Sequence, residues 1–159
     1  MVNSLVIILM GSKSDLEHSQ KIADACKGYG IETVLRIGSA HKAAEHVLKI
    51  LREYEAEARP KVYITVAGRS NALSGLTDGA VSAPVIACPP VSDAFGGVDV
   101  FSSMRMPSGI APALVLEPAN AALLAAKILG LLDPDVRVAV LKSQMQAAEK
   151  IIQDDQALQ

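Results

Sequence analysis

The chain has 159 residues, half of them hydrophobic, which is enough to bury a core without disulfide or metal staples. Fifteen Lys and Arg against seventeen Asp and Glu leave a formal charge of −2, which excludes the strongly basic surface of a nucleic-acid-coating protein. No Trp, two Phe and three Tyr leave no base-stacking platform either.

Leu5–Met10 is a continuous apolar run, the pattern of a strand buried on both faces. It lacks the basic flank of a secretory leader and breaks at Gly11. After Gly11-Ser12-Lys13-Ser14-Asp15, the residues Ile22, Ala25, Cys26 and Tyr29 recur at i, i+3, i+4 and i+7. They predict a helix closed by Gly28 and Gly30. Residues 33–37 read as a second strand. Beyond Gly38, Val47, Ile50, Leu51 and Tyr54 mark one face of a second helix, stopped by Pro60. Residues 62–66 form a third strand, and residues 84–88 a short fourth one stopped by Pro89-Pro90. A long loop through Gly96 and Gly97 leads to a short helix near residues 98–104. Residues 113–116 form a fifth strand, and Asn120 is expected to cap an Ala/Leu-rich helix running to residue 132. Lys127 interrupts that last stretch, which stays short of the roughly 20 apolar residues of a membrane span. Cys26 and Cys88 form no CxxC pair and no zinc spacing, so the expectation is a reducing, cytoplasmic compartment.

Uniformly apolar strands alternating with helices predict a parallel sheet covered on both faces. The expected fold is therefore α/β: a three-layer, doubly wound, flavodoxin-like (Rossmann-like) sheet of about five strands. No linker or repeat divides the chain, which reads as one domain over residues 1–159. After Asp133-Pro134, Val138, Leu141, Met145, Ala148 and Ile152 form a seam with alternating spacings of three and four, widened by Val140, Ala147 and Ile151. A helix that follows a complete sheet has little core left to cover. The expectation is that it packs on a neighbouring subunit; packing on the chain's own surface fits the pattern equally well.

In such a fold, ligands bind outside the carboxyl ends of the strands. The first candidate loop is Gly11-Ser12-Lys13-Ser14-Asp15, where a glycine, two hydroxyls and a helix start suit an anion. Ser14 with Glu17 also matches a capping box that would serve the helix alone, and the loop fits neither the Walker pattern nor GxGxxG. The second is Ser39-Ala40-His41-Lys42. His41 sits where a general acid/base belongs, or bonds to backbone within a turn. His46 shares no helical face with it, His18 is expected to be exposed, and no carboxylate cluster completes a metal set, so no metal is expected. The third is Gly68-Arg69-Ser70-Asn71, able to cup a small anionic group or to act only as a turn capped by Ser70 or Asn71. In a fourth polar loop, residues 102–109, Arg105 either neutralises an anion or pairs on the surface. Cys88 reads as a small buried hydrophobe, and Asp78, Asp93 and Asp99 as solvated turn residues. The residues thus imply a phosphate-bearing ligand and one candidate acid/base, His41.

These four loops, with Ser103-Met104-Arg105-Met106-Pro107-Ser108-Gly109 as the last, resemble in order and spacing the aminoimidazole ribonucleotide (AIR) carboxylases of purine biosynthesis, over about residues 5–131. That family has two classes. One is a mutase that moves a carboxyl group from the exocyclic nitrogen to ring carbon four; the other uses carbon dioxide directly. Lys42, a third loop without histidine and Arg105 before Met106-Pro107 resemble the second class; Ala72, where animal members carry glycine, departs from it. The resemblance implies a reversible carboxylation of 5-aminoimidazole ribonucleotide to its 4-carboxy derivative, without biotin, ATP or metal. It implies that Ser12, Ser14 and Lys42 hold the 5′-phosphate, with Ser39 in support, and that Asp15 takes the ribose hydroxyls. Gly68, Ser70 and Asn71 would form the carbon dioxide pocket, and His41 would be the acid/base. It further implies a homo-oligomer, a tetramer or octamer, with no nucleic-acid or membrane partner. The rival readings are the mutase and a non-catalytic nucleotide-binding module that has no need of His41. A receiver-type signalling domain is set aside, because Gly11 and Ala67-Gly68 stand where it would carry acidic residues.

Overall fold

The computed structural model describes residues 3–158. All six residues of β1 (Leu5–Met10) are buried, because an all-apolar strand is stable only where both faces are covered. It pairs in parallel with β2 (Glu32–Ile37) on one side and β3 (Lys61–Val66) on the other, and β4 (Val85–Ala87) and β5 (Ala113–Leu114) complete the order β2-β1-β3-β4-β5. Successive side chains of β1 point to opposite faces. Leu5, Ile7 and Leu9 pack with Val47, Ile50, Leu51 and Tyr54 of α2 (Ala44–Glu55) and Leu73 of α3 (Ala72–Asp78). Val6, Ile8 and Met10 pack with Ile22 and Cys26 of α1 (Leu16–Gly28) and with Ala121, Ala125 and Leu129 of α4 (Pro118–Leu129). Each fully buried Leu or Ile contributes about 1.5–3 kcal/mol. The result is a three-layer, doubly wound, flavodoxin-like sheet.

Met10 lies level with both Ile37 and Val66, so three strands end together. The chain leaves β1 toward one edge and returns through β3 on the other side. The loops after β1 and β3 therefore diverge and open a crevice.

Several elements differ from expectation. Strand β2 is an edge strand with Glu32 and Ile37 exposed; Arg36 lies 5.5 Å from the Tyr54 ring centroid and bonds its hydroxyl. Strand β5 keeps only two residues, although the Val115 amide still reaches the Ala87 carbonyl at 2.9 Å. Helix α4 begins at Pro118 with Glu117 as N-cap, and not at Asn120. A proline at the first helical position has no amide to leave unpaired. The expected Ser14–Glu17 box is replaced by a Ser12–Asp15 box, because a 3-10 turn, Lys13–Asp15, precedes α1.

The last helix, α5 (Pro134–Gln156), is capped by the buried Asp133, whose carboxylate accepts from the Asp135 and Val136 amides and, at 2.7 Å, from the Ser4 hydroxyl. Only Val136 and Val140 are buried, packed with the α1/α4 layer. Val138, Leu141, Met145 and Ile152 of the predicted seam stay 53–72% exposed. The chain's own surface therefore takes up only the first turns of α5. No helix among the described residues is long and apolar enough to cross a membrane.

Candidate active site

The crevice at the strand ends is a cleft of about 540 Å³. The loop after β1 supplies Gly11, Ser12, Ser14 and Asp15, and the loop after β2 supplies Ser39, Ala40, His41 and Lys42. The loop after β3 supplies Ala67, Gly68, Arg69 and Ser70, and the loop after β4 supplies Pro90 and Ser92. Residues far apart in the chain thus meet because their strands end level.

The Gly11 amide donates to the Val66 carbonyl at 2.9 Å and carries the β1–β3 pairing one residue further. Beyond it the chain turns sharply. The Ser12 amide donates to Asp15 Oδ2 at 3.0 Å, and the hydroxyls of Ser12 and Ser14 bond each other. Two exposed hydroxyls therefore stand at the start of α1, where unpaired amides and the helix dipole favour an anion.

In the second loop, Ser39 is structural. Its carbonyl accepts from the Ala43 amide at 2.9 Å and its hydroxyl from the Lys42 amide at 3.2 Å. His41 is exposed to the cleft and makes no hydrogen bond to another described residue, so the turn-histidine alternative fails and the imidazole is free to meet a ligand. Gly38 sets where this loop leaves the sheet. A Cβ there would lie 2.8 Å from Val47 Cγ2 and 3.3 Å from Leu9 Cδ1.

The third loop is held from behind. Arg69 adopts a left-handed backbone, φ 60°, and its amide donates to Asp99 Oδ2 at 2.9 Å. Asn71 is buried and does not line the cleft: its Oδ1 accepts from the Ser74 amide and its Nδ2 donates to Ser103 Oγ at 2.8 Å. Arg105 also lies outside the cleft. Of the predicted residues, Ser12, Ser14, Asp15, Ser39, His41, Lys42, Gly68 and Ser70 converge; Asn71 and Arg105 do not. Arg69, Pro90 and Ser92 were missed, although the strand-end rule that located the first three loops points to the β4 exit as well.

Other expectations need correction. His18 is half-buried, with Nε2 3.1 Å from the Cys88 carbonyl and 3.5 Å from its sulfur. Burial holds the imidazole below its ordinary value, against the Cys88 hydrogen bond. Burial pushes the Cys88 thiol up to about 12, so it stays protonated and is no nucleophile. Asp78 and Asp99 are not merely solvated: they accept the amides of Ala111 and Arg69. Among the described residues, no group of three or more His, Cys, Asp or Glu could hold a metal ion.

The lining combines two cations, Lys42 and Arg69, with one carboxylate, one free imidazole and several hydroxyls. Such a set suits an anionic, hydroxyl-bearing small molecule and proton transfer to or from it. Comparison with known proteins agrees in kind. The family model described as AIR carboxylase matches residues 5–150. A phosphoribosylaminoimidazole carboxylase of Treponema denticola is 63% identical over 155 residues, 97% of each chain. One of Archaeoglobus fulgidus is 56% identical over 152 residues, 96% of this chain and 83% of that one. The crystal structure of Treponema denticola PurE superposes with a TM-score of 0.96 at 61% identity, covering 98% of this chain and 99% of that one.

Proposed function

The chain belongs to the AIR carboxylase family, and from that premise we propose that it is a phosphoribosylaminoimidazole carboxylase that takes carbon dioxide directly. It converts 5-aminoimidazole ribonucleotide to the 4-carboxy product, and the reverse reaction makes it a carboxy-lyase. The observation that carries this reading is the convergence of His41 with the serine-rich turn after β1 in one cleft.

The aminoimidazole ring is an electron-rich enamine, so its carbon four attacks the carbon of carbon dioxide and forms the new C–C bond. The adduct carries both a carboxylate and a hydrogen on a tetrahedral carbon four. His41 removes that hydrogen as a proton, the electron pair returns to the ring, and aromaticity is restored. Holding a neutral gas beside the ring is chiefly a proximity problem, and amides aimed at the forming carboxylate lower the barrier further.

Ser12, Ser14 and Lys42 hold the 5′-phosphate. Asp15 spends Oδ2 on Ser12, which leaves Oδ1 for the ribose hydroxyls. Ser39 shapes the loop that carries His41 and Lys42. Gly68 and Ser70 face the carboxyl group; Asn71 serves them from beneath. The reaction needs no biotin, ATP or metal. The exposed stripe on α5 supports a homo-oligomer, a tetramer or octamer, and the likeness to biosynthetic carboxylases supports a cytoplasmic enzyme.

One assay tests the reading. The purified protein is given 5-aminoimidazole ribonucleotide with bicarbonate-supplied carbon dioxide, or the N-carboxylated nucleotide alone. Product from the first substrate and not the second is expected. The opposite result makes it a mutase, and binding without turnover makes it a nucleotide-binding module.

A further inference from the structure

We propose that Asp99, assisted by Ser102, is a positioning residue for the carbon dioxide pocket, setting the direction of the Gly68 and Ser70 amides without touching substrate. This rests on the carboxylase reading above. Asp99 and Ser102 belong to a short 3-10 helix, Val98–Ser103, which lies behind the third loop. It grips that loop at alternate residues. Asp99 Oδ2 accepts the Arg69 amide at 2.9 Å, and Ser102 Oγ accepts the Asn71 amide at 3.0 Å. The Ser102 hydroxyl has two acceptors within reach, the Asp99 carbonyl at 2.8 Å and the Arg69 carbonyl at 3.2 Å. Ser103 Oγ takes the Asn71 side-chain amide at 2.8 Å.

Two consequences follow from this alternation. The amides of residues 69 and 71 are spent on the 3-10 helix, whereas those of Gly68 and Ser70 donate to no other described residue. These two are the donors left for a ligand, on residues that line the cleft. Arg69 is also the only non-glycine residue with positive φ among those described. A side chain resists that conformation unless the surroundings over-determine it. The charge-assisted bond from Asp99 supplies the restraint. Behind the loop, a Cβ at Gly68 would meet Pro90 and Asp99 Oδ2 at ordinary contact distance, 3.5–3.7 Å, so Asp99 lies against Gly68 as well as bonding the Arg69 amide. Without Asp99, the loop can relax toward an ordinary turn and swing the free amides off the forming carboxylate. The phosphate and ribose contacts lie on other loops and are untouched.

The test varies dissolved carbon dioxide and nucleotide separately, with nucleotide affinity measured by calorimetry and Tm recorded for each variant. Asp99→Ala is expected to lower kcat/KM for carbon dioxide about tenfold or more, as misplaced catalytic donors do, with nucleotide affinity within about twofold. Asp99→Asn, whose carboxamide oxygen can accept the same amide, should recover most of the loss. If Asp99→Ala leaves kcat/KM for carbon dioxide unchanged, or weakens nucleotide binding equally, the proposal is overturned. Should that variant fail to fold, Ser102→Ala decides by the same split: a several-fold loss confined to carbon dioxide supports the proposal, and no such loss overturns it. Wild-type protein that carboxylates nothing would instead refute the carboxylase reading itself.

Discussion

The Asp15 carboxylate accepts the Ser12 amide at 3.0 Å, which folds the first loop back onto its own acid and fixes both serine hydroxyls at the start of α1. Asp15 therefore shapes the turn, and in the proposed function its second oxygen takes the ribose hydroxyls. Ser12→Ala removes one donor to the phosphate and should weaken nucleotide binding about tenfold, the worth of a hydrogen bond to a charged group. Asp15→Ala loses the turn and the ribose contact together and should cost more. Isothermal titration with the nucleotide checks both; equal affinity in the two variants would remove the double role.

Among the described residues His41 has no hydrogen-bond partner to lose, so its replacement should leave the loop intact. His41→Asn is expected to cut turnover by roughly 10²–10⁴, the usual contribution of a general acid/base, while nucleotide affinity stays within about twofold. A near-normal rate would sink the mechanism.

The half-buried His18 predicts a stability profile on the acid side. Its folded value lies below that of the unfolded chain because burial disfavours the charged ring. Below the ordinary histidine value of about 6.5, the unfolded state binds the extra proton and the folded state does not. This contribution to stability is thus complete at neutral pH and is lost as pH falls through 6.5, until the folded ring also protonates. His18→Gln keeps a side-chain donor for the Cys88 carbonyl but cannot titrate. Thermal melts at pH 7 and pH 5.5 should show a smaller loss in the variant than in the parent; equal losses would count against it.

Helix α5 carries a buried start and an exposed apolar stripe within one sequence stretch, and the proposed assembly assigns the stripe to a neighbouring subunit. Leu141 and Met145 are exposed, whereas Val140 is buried against the α1/α4 layer. Leu141→Glu with Met145→Glu should leave Tm of the fold nearly intact and shift the sedimenting species to smaller size. Val140→Glu buries an unpaired charge and should cost several kcal/mol. Unaltered sedimentation of the Leu141/Met145 variant would show that the stripe holds no subunits together.

What was legible in the sequence follows from locality. Strands β1 and β3 are legible as short apolar runs, and the α2 face at Val47, Ile50, Leu51 and Tyr54 as a helical period, because burial imposes both patterns on the chain itself. His41 and the Ser12 turn came through because strand ends are where this topology places ligands. Ser12–Asp15 and Ser14–Glu17 satisfy the same capping-box spacing, and only the 3-10 turn decides for the first. The cap by Asn71 is local and legible, but the settings of His18 and Asp99 are not. Their partners, Cys88 and Arg69, lie 70 and 30 residues away, and no local pattern announces such pairs. The segment from Pro89 to Pro112 has no apolar period, so the only signal for Pro90 and Ser92 in the cleft is their place just after β4.

The bare Cα of Gly38 has a leverage its size conceals. Packed so close to Val47 and Leu9 that even a methyl would collide, it lets β2 and α2 approach each other and so dictates the point from which the imidazole reaches. An alanine there would force the Val47 and Leu9 side chains to give way, and strain the packing beneath the loop that carries His41. Shifts of about 1 Å in reacting groups cost about a hundredfold in rate. In the proposed mechanism, the position of the base would thus be tuned from the hydrophobic interior, at a spot no substrate meets.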